Sequence, residues 1–109
     1  MAYTNTHKAA RISPRKARLV VDMIRGRSVE DALTTLRLSK KRAAVYIRSA
    51  LNAAVANADQ DEADVRRLVV TDARVDAGPT MKRFQPKDRG RAHPILKRTS
   101  HISVSVDVT

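Results

Sequence analysis

The side chains able to do chemistry in this sequence are overwhelmingly cations. Of 109 residues, 22 are Lys or Arg against 11 Asp or Glu, a formal net charge of +11. Catalysis has little to draw on. His7, His93 and His101 are dispersed through polar or basic sequence, whereas a hydrolytic centre needs nucleophile, base and orienting group together. No H-E-x-x-H spacing offers a metal site. The acids within 59–64 lack the glycine and spacing of a calcium loop. Gly26, Gly78 and Gly90 are isolated, so no phosphate-cradling glycine loop exists. Without cysteine there is no disulfide scaffold, no Cys-ligated zinc and no thiol nucleophile. No catalytic residue, metal or cofactor is expected. What guanidinium and ammonium groups do at this density is neutralise anions. The phosphates of a nucleic acid lead an anionic membrane surface as the partner.

The charge is unevenly placed. Residues 1–28 carry +6, 29–58 carry +3, 59–78 carry −3, 79–101 carry +6 and 102–109 carry −1. A surface charged only for solubility interleaves its signs, so the two basic islands read as footprints; the plain alternative is a solvated charged face. The length suits one domain. At 42% hydrophobic residues the chain is not compositionally disordered. No apolar run approaches the roughly 18 residues of a membrane helix, and no signal peptide is visible, so a cytosolic protein is expected.

Helices must position the first island. Ser13 is a good N-cap, with Pro14 at the first helical position. Ala17, Val20, Val21 and Ile24 then form one apolar stripe, Arg15, Arg18, Asp22 and Arg25 a different face, and Gly26 a stop. A second helix starts at Ser28, with Asp31 in a capping-box position and Val29, Ala32, Leu33 and Leu36 facing inward. A third, capped by Ser39, buries Ala44, Ile47, Leu51, Ala54, Val55 and Ala58, and its alanines imply close packing. Two of these helices carry charges of the wrong sign for the macrodipole, Arg15-Lys16 in the first and Lys40-Lys41-Arg42 in the third. An external phosphate would offset both the dipole and the side chains.

Strands follow. Residues 2–10 give only a faint strand signal. Val65, Val69, Ala73 and Val75 lie on one face of an expected strand, although Leu68 and Val70 blur its alternation. Ile102, Val104, Val106 and Val108 alternate cleanly with polar residues. Residues 79–101 between these strands read as a hairpin arm turning about Asp88–Gly90, each side reaching about 30 Å. Pro94 must take a non-pairing or bulged position within it. Met81, Phe84, Ile95 and Leu96 pack either inside the arm or against bases. So little apolar surface cannot offset the entropy of ordering the arm, so the free arm is expected to be mobile.

Three dispersed aromatics, Tyr3, Tyr46 and Phe84, are too few for a single-strand stacking platform. Folded, largely helical RNA read by shape and backbone fits better. The competing reading is a helix-turn-helix DNA binder built from the second and third helices. Its recognition helix would offer Lys40, Lys41, Arg42 and Arg48, which suit phosphates more than base edges.

In this order and at these spacings, several blocks carry a family resemblance. They are Ser13-Pro14-Arg15-Lys16-Ala17-Arg18-Leu19-Val20 through Ile24-Arg25-Gly26, then Ala50-Leu51-Asn52-Ala53-Ala54-Val55-Ala56-Asn57-Ala58. Most specific are Gly78-Pro79-Thr80-Met81-Lys82-Arg83, Gly90-Arg91-Ala92 and Lys97-Arg98-Thr99-Ser100-His101-Ile102. The chain resembles the universal large-subunit ribosomal protein twenty-two family in its bacterial form, over nearly its whole length. The resemblance implies an α+β fold, three helices packed on a small antiparallel sheet with a long protruding β-hairpin. It implies a structural constituent of the large ribosomal subunit that binds 23S-type rRNA, aids its assembly and extends the hairpin to the wall of the nascent-peptide exit tunnel. Its partners would be that rRNA, neighbouring large-subunit proteins and the nascent peptide in passing, in the cytoplasm and without membrane or cofactor; the free protein would be monomeric.

The body contacts are then expected from Lys8, Arg11, Arg15, Lys16, Arg18, Arg25, Lys40 and Lys41, and the arm contacts from Lys82, Arg83, Lys87, Arg89, Arg91, Lys97 and Arg98. The tunnel tip would be Arg83, Phe84, Gln85, Pro86, Lys87, Asp88, Arg89, Gly90 and Arg91. Asp88 and His93-Pro94 depart from the family's usual small or basic residues in this arm.

Overall fold

Ser13 opens the first helix in the computed structural model, which describes residues 2–86, 90 and 92–109. Its side chain accepts from the Lys16 N–H at 3.4 Å, and Pro14 occupies the first turn. This helix, α1 (Pro14–Ile24), buries Ala17, Val20, Val21 and Ile24 at 0–1% exposure, the stripe expected from the sequence. Gly26 stops the helix in the left-handed region at φ 82°, where a Cβ is disfavoured. Ser28 caps α2 (Val29–Leu38) by accepting from the Asp31 N–H, and Val29, Ala32 and Leu36 are buried beneath it, with Leu33 half-buried.

The third helix departs from expectation at its start. Ser39 does not cap it. Its N–H donates to the Thr35 carbonyl, closing α2, and its hydroxyl accepts from the Lys41 N–H at 3.3 Å. The helix α3 (Ala43–Gln60) begins after Arg42 without a side-chain cap, so Lys40 and Lys41 precede it rather than sit in its first turn. Ala43, Ala44, Ile47, Ala50, Leu51, Ala54 and Ala58 are buried along it, and Val55 is half-buried.

All three helices cover one face of a three-stranded antiparallel sheet, β1 (Tyr3–Ala10), β2 (Leu68–Ala77) and β5 (Ser100–Val108), ordered β1-β5-β2. The long α3 lies over β1 and β5, and α1 over β2. Ile102, Val104 and Val106 are fully buried from the central strand, with Val108 half-buried at its end.

The expected inward set on β2 is corrected. Val65 lies in a short 3₁₀ turn (Val65–Arg67), and Val69 is only half-buried, while Leu68 and Val70 are buried. The register jumps from Val70↔Val106 to Asp72↔Ser105. One extra residue in β2 reverses the inside-outside parity between Val70 and Ala73, which is what a β-bulge does. A second irregularity interrupts β1 between His7 and Ala10. There Ala9 sits at φ 54°, and its N–H donates to His101 Nδ1 at 3.0 Å.

The strands β3 (Met81–Pro86) and β4 (Ala92–Lys97) form a separate two-stranded ribbon, from Met81↔Lys97 to Pro86↔Ala92. Gly90, at φ 72°, lies in the turn. Six paired residues per strand reach about 20 Å. The molecule measures 63 × 24 × 16 Å, and its radius of gyration is 16.9 Å, against about 13 Å for a compact chain of this length. The paired residues of the ribbon run without a bulge, and Pro94 is in register with Phe84. Phe84↔Pro94 and Pro86↔Ala92 are two steps apart and so belong to the same class of pair. In the non-hydrogen-bonded class the N–H faces away from the partner strand, so both prolines fit without breaking the ladder.

Candidate nucleic-acid interface

The direction of the arm is set at its root by a small set of polar contacts. The Gly78 N–H donates to the Thr99 carbonyl at 2.9 Å, and the Thr99 hydroxyl donates to the Pro79 carbonyl at 2.6 Å. Next in sequence, the Ser100 hydroxyl donates to the Ile12 carbonyl at 2.6 Å. Thr99 and Ser100 are the buried polar side chains among the described residues, and these bonds satisfy them. Gly78 has no room for more: a Cβ there would lie 2.6 Å from Thr99 Oγ1. The two sides of the arm are thereby tied to each other and to the loop leading into α1, the loop that carries Arg11 and Ser13.

Around this root the cations converge. A cleft of about 290 Å³ is lined by Arg11, Ile12, Ser13, Lys16, Arg42, Leu96, Lys97 and Arg98. A second, of about 420 Å³, is lined by Ser13, Pro14, Arg15, Arg18, Ala77 and Arg98. Ser13 and Arg98 belong to both, so the clefts flank the N-terminus of α1. Among the described residues no carboxylate lines either one. Seven cations thus gather where the helix dipole is also positive. Like charges in concave surface focus a field that attracts polyanions, and phosphate is a natural ligand of such a helix end.

The expected residues are sorted by this geometry. Arg11, Arg15, Lys16, Arg18, Lys97 and Arg98 come together in the clefts. Arg18 also holds the Val75 carbonyl from Nε and Nη2, at 3.3 and 3.1 Å. Arg25 is drawn elsewhere, with Nε on the Ala73 carbonyl at 3.2 Å and Nη1 on Asp22 at 2.8 Å, so its guanidinium staples α1 to β2. Lys41 lines an adjoining hollow with Lys16 and Arg42, and Lys40 is exposed beside it. Lys8 is exposed on β1, and Lys82 and Arg83 are exposed on the ribbon. Arg83, Phe84, Gln85 and Pro86 at the end of β3 are exposed, and so is Gly90 in the turn. Lys87, Asp88, Arg89 and Arg91 lie outside the described residues. Of the four apolar arm residues, Met81 and Ile95 are half-buried, whereas Phe84 and Leu96 are 73% and 46% exposed.

Arg42 entered the sequence reading only through the Lys40-Lys41-Arg42 run and was not among the expected contact residues, yet it lines the first cleft. The run follows α2 and precedes α3, which swings Arg42 toward the arm root; its Nη2 lies 3.3 Å from the Tyr46 hydroxyl.

A cluster of four acids sits at the other end, followed by the exposed Arg66 and Arg67. Asp59, Asp61, Glu62 and Asp64 are exposed at the far end of α3, where Asp61 accepts from the Tyr3 hydroxyl at 2.6 Å. The eighteen residues of α3 set the two poles roughly 27 Å apart. The helix-turn-helix reading is disfavoured by the packing. The N-terminal half of α3 exposes Val45 and Ser49, with Tyr46 and Arg48 half-buried, and so offers no row of exposed Arg, Asn or Gln to base edges.

Among the described residues no group of His, Asp and Glu is arranged to hold a metal, and no helix is long and apolar enough to cross a membrane. Residues 5–107 match the family described as ribosomal protein L22p/L17e. The chain is 57% identical over 102 residues to the large ribosomal subunit protein uL22 of Magnetococcus marinus, covering 93% of this chain and 90% of that protein. With a match across nearly its whole length, a three-helix body, a protruding ribbon and a cationic root, the chain belongs to the ribosomal protein L22p/L17e family and is a structural protein of the ribosome, not an enzyme.

Proposed function

We propose that this protein binds the rRNA of the large subunit in the cytoplasm, aids its folding during assembly, and projects its ribbon to the wall of the nascent-peptide exit tunnel. The observation that carries the reading is the ring of seven cations around the α1 N-terminus and the arm root, with no carboxylate among the described residues that line it. The clefts dock the body on RNA phosphates, and such contacts position a protein rather than read sequence. Beyond them Lys82 and Arg83 continue the positive track along the ribbon, with Lys87, Arg89 and Arg91 further along the chain. The tip, residues 83–91, then meets the passing peptide, and neighbouring large-subunit proteins share the surrounding RNA.

Binding to large-subunit rRNA as a function of salt tests this. Removing one cation from a phosphate lowers the log–log salt slope by about 0.7–0.9. Arg98→Ala and Lys16→Ala are each expected to weaken binding and flatten the slope by that amount. Equal or tighter binding of the wild-type protein to duplex DNA would overturn the reading. So would its failure to co-sediment with large subunits at high salt.

A further inference from the structure

Next to the cationic clefts lies a hollow of different chemistry. It has a volume of about 330 Å³ and is lined by Ile12, Lys16, Leu19, Lys41, Arg42 and Ala43. Its apolar floor is Ile12, Leu19 and Ala43, and its rim is three cations, with no carboxylate among the described residues. Leu19 is 56% exposed, an aliphatic side chain left open one turn beyond Lys16 on α1. Ile12, Lys16 and Arg42 also line the first cleft, so the hollow continues the surface assigned above to phosphates.

We propose that this hollow receives a single unstacked nucleobase of the bound RNA, its face against Leu19 and its flanking phosphates on Lys16, Lys41 and Arg42. The inference rests on the rRNA-binding reading and adds a base contact to what is otherwise phosphate binding. Charge selects the class of occupant: a three-cation rim favours an anionic partner. Shape narrows it further. A protein helix docking in a groove needs a row of anchors at helical spacing, and one hollow of this size offers a single socket. A base supplies an apolar face for the floor and leaves its polar edges toward water. Aliphatic contact of this kind discriminates little between bases, so the site would add affinity more than sequence specificity.

Salt-dependent binding to large-subunit rRNA separates base contact from phosphate contact. Leu19→Ser is expected to weaken binding about tenfold, the size expected when most of a leucine side chain is no longer covered, with the salt slope unchanged. Leu19→Phe keeps a flat apolar surface and is expected to bind at least as well as the wild type. Lys41→Ala is expected to flatten the slope by about 0.7–0.9. Since Leu19 is exposed, these variants are expected to unfold at the wild-type temperature; Leu19→Gln, a better helix former, replaces Leu19→Ser if serine disturbs α1. Wild-type affinity in both polar variants would overturn the inference. Wild-type affinity for naked rRNA combined with poor incorporation into subunits would overturn it too, and would assign the hollow to a protein. Failure of the wild type itself to bind rRNA would instead remove the reading beneath it.

Discussion

At Gly78 the bearing of the arm depends on the absence of one carbon. The backbone of Gly78 is held against Thr99, and an added Cβ would meet Thr99 Oγ1 at 2.6 Å and the Thr99 carbonyl carbon at 3.3 Å. Gly78→Ala must therefore open the root, and overpacking of this kind costs about 1–3 kcal/mol. Urea unfolding is expected to show that destabilisation, with weaker rRNA binding at equal protein concentration. At the opposite pole, the hydrogen bond to the Asp61 carboxylate, aided by desolvation and by the charges of Asp61 and Asp107, raises the Tyr3 phenol above its ordinary value of 10.0. The folded chain holds that proton more tightly than the unfolded one. The stabilisation is therefore complete below about pH 10 and is lost as pH rises through the raised folded value. Tyr3→Phe is expected to make the alkaline fall in melting temperature shallower. The two residues share what the sequence hid of them. Neither interaction was legible, because each joins atoms far apart in the chain: Tyr3 and Asp61 are 58 positions apart, Gly78 and Thr99 21. The cations of the clefts were legible because each cluster is local in sequence, Arg15-Lys16 or Lys97-Arg98. Arg25 had the same local signal, and the carbonyl of Ala73 that it holds was out of view.

The elements were legible wherever one periodicity ran unbroken. For α1, the cap, the stripe and the glycine stop all agree, and every stripe residue is buried. Where two elements share a residue the reading failed. Ser39 has the chemistry of an N-cap, yet it uses its N–H to close α2 and its hydroxyl in a turn, which displaces the start of α3 to Ala43. A bulge is equally invisible to a period-two rule, and the one in β2 exchanged Val69 for Leu68 and Val70 in the core. The faint signal of residues 2–10 reflects a strand whose partner, β5, begins some ninety residues later. The alanines of α3 were read correctly as close packing. Ala54 has no exposed surface, and α3 lies directly over β1 and β5. Ala54→Leu is thus expected to force α3 off the sheet and destabilise the fold by about 1–3 kcal/mol. Chemical denaturation would report it, and unchanged stability would mean that the helix–sheet gap can absorb three extra carbons.

As a whole the molecule is a body with a boom, charged positively where the two meet and negatively at the body's far end. Body and boom share no core: the buried apolar cluster draws on α1, α2, α3 and the three-stranded sheet, with no described residue from β3 or β4. Replacing 81–97 by a short turn, with Gly78, Pro79, Thr99 and Ser100 kept, is expected to leave cooperative unfolding intact. The same deletion should flatten the salt dependence of rRNA binding by about 0.7–0.9 for each phosphate that the arm neutralises. Loss of cooperativity would show that the ribbon supports the body. Amide exchange gives the complementary view of the free chain. The amides of β3 and β4 are expected to exchange far faster than those of β5, and to slow on binding RNA, because an isolated two-stranded ribbon is marginal in water.

The placement of the two ribbon prolines has a consequence beyond fitting the ladder. A two-stranded ribbon has two open edges, each able to recruit another extended chain. Pro86 on one edge and Pro94 on the other each remove an outward-pointing donor near the tip, which leaves gaps where a third strand would need to bond. A polypeptide passing such a ribbon finds each edge shortened or interrupted, Pro86 at the end of β3 and Pro94 within β4. At the tunnel wall proposed above, such gaps would help the ribbon release a passing chain rather than hold it.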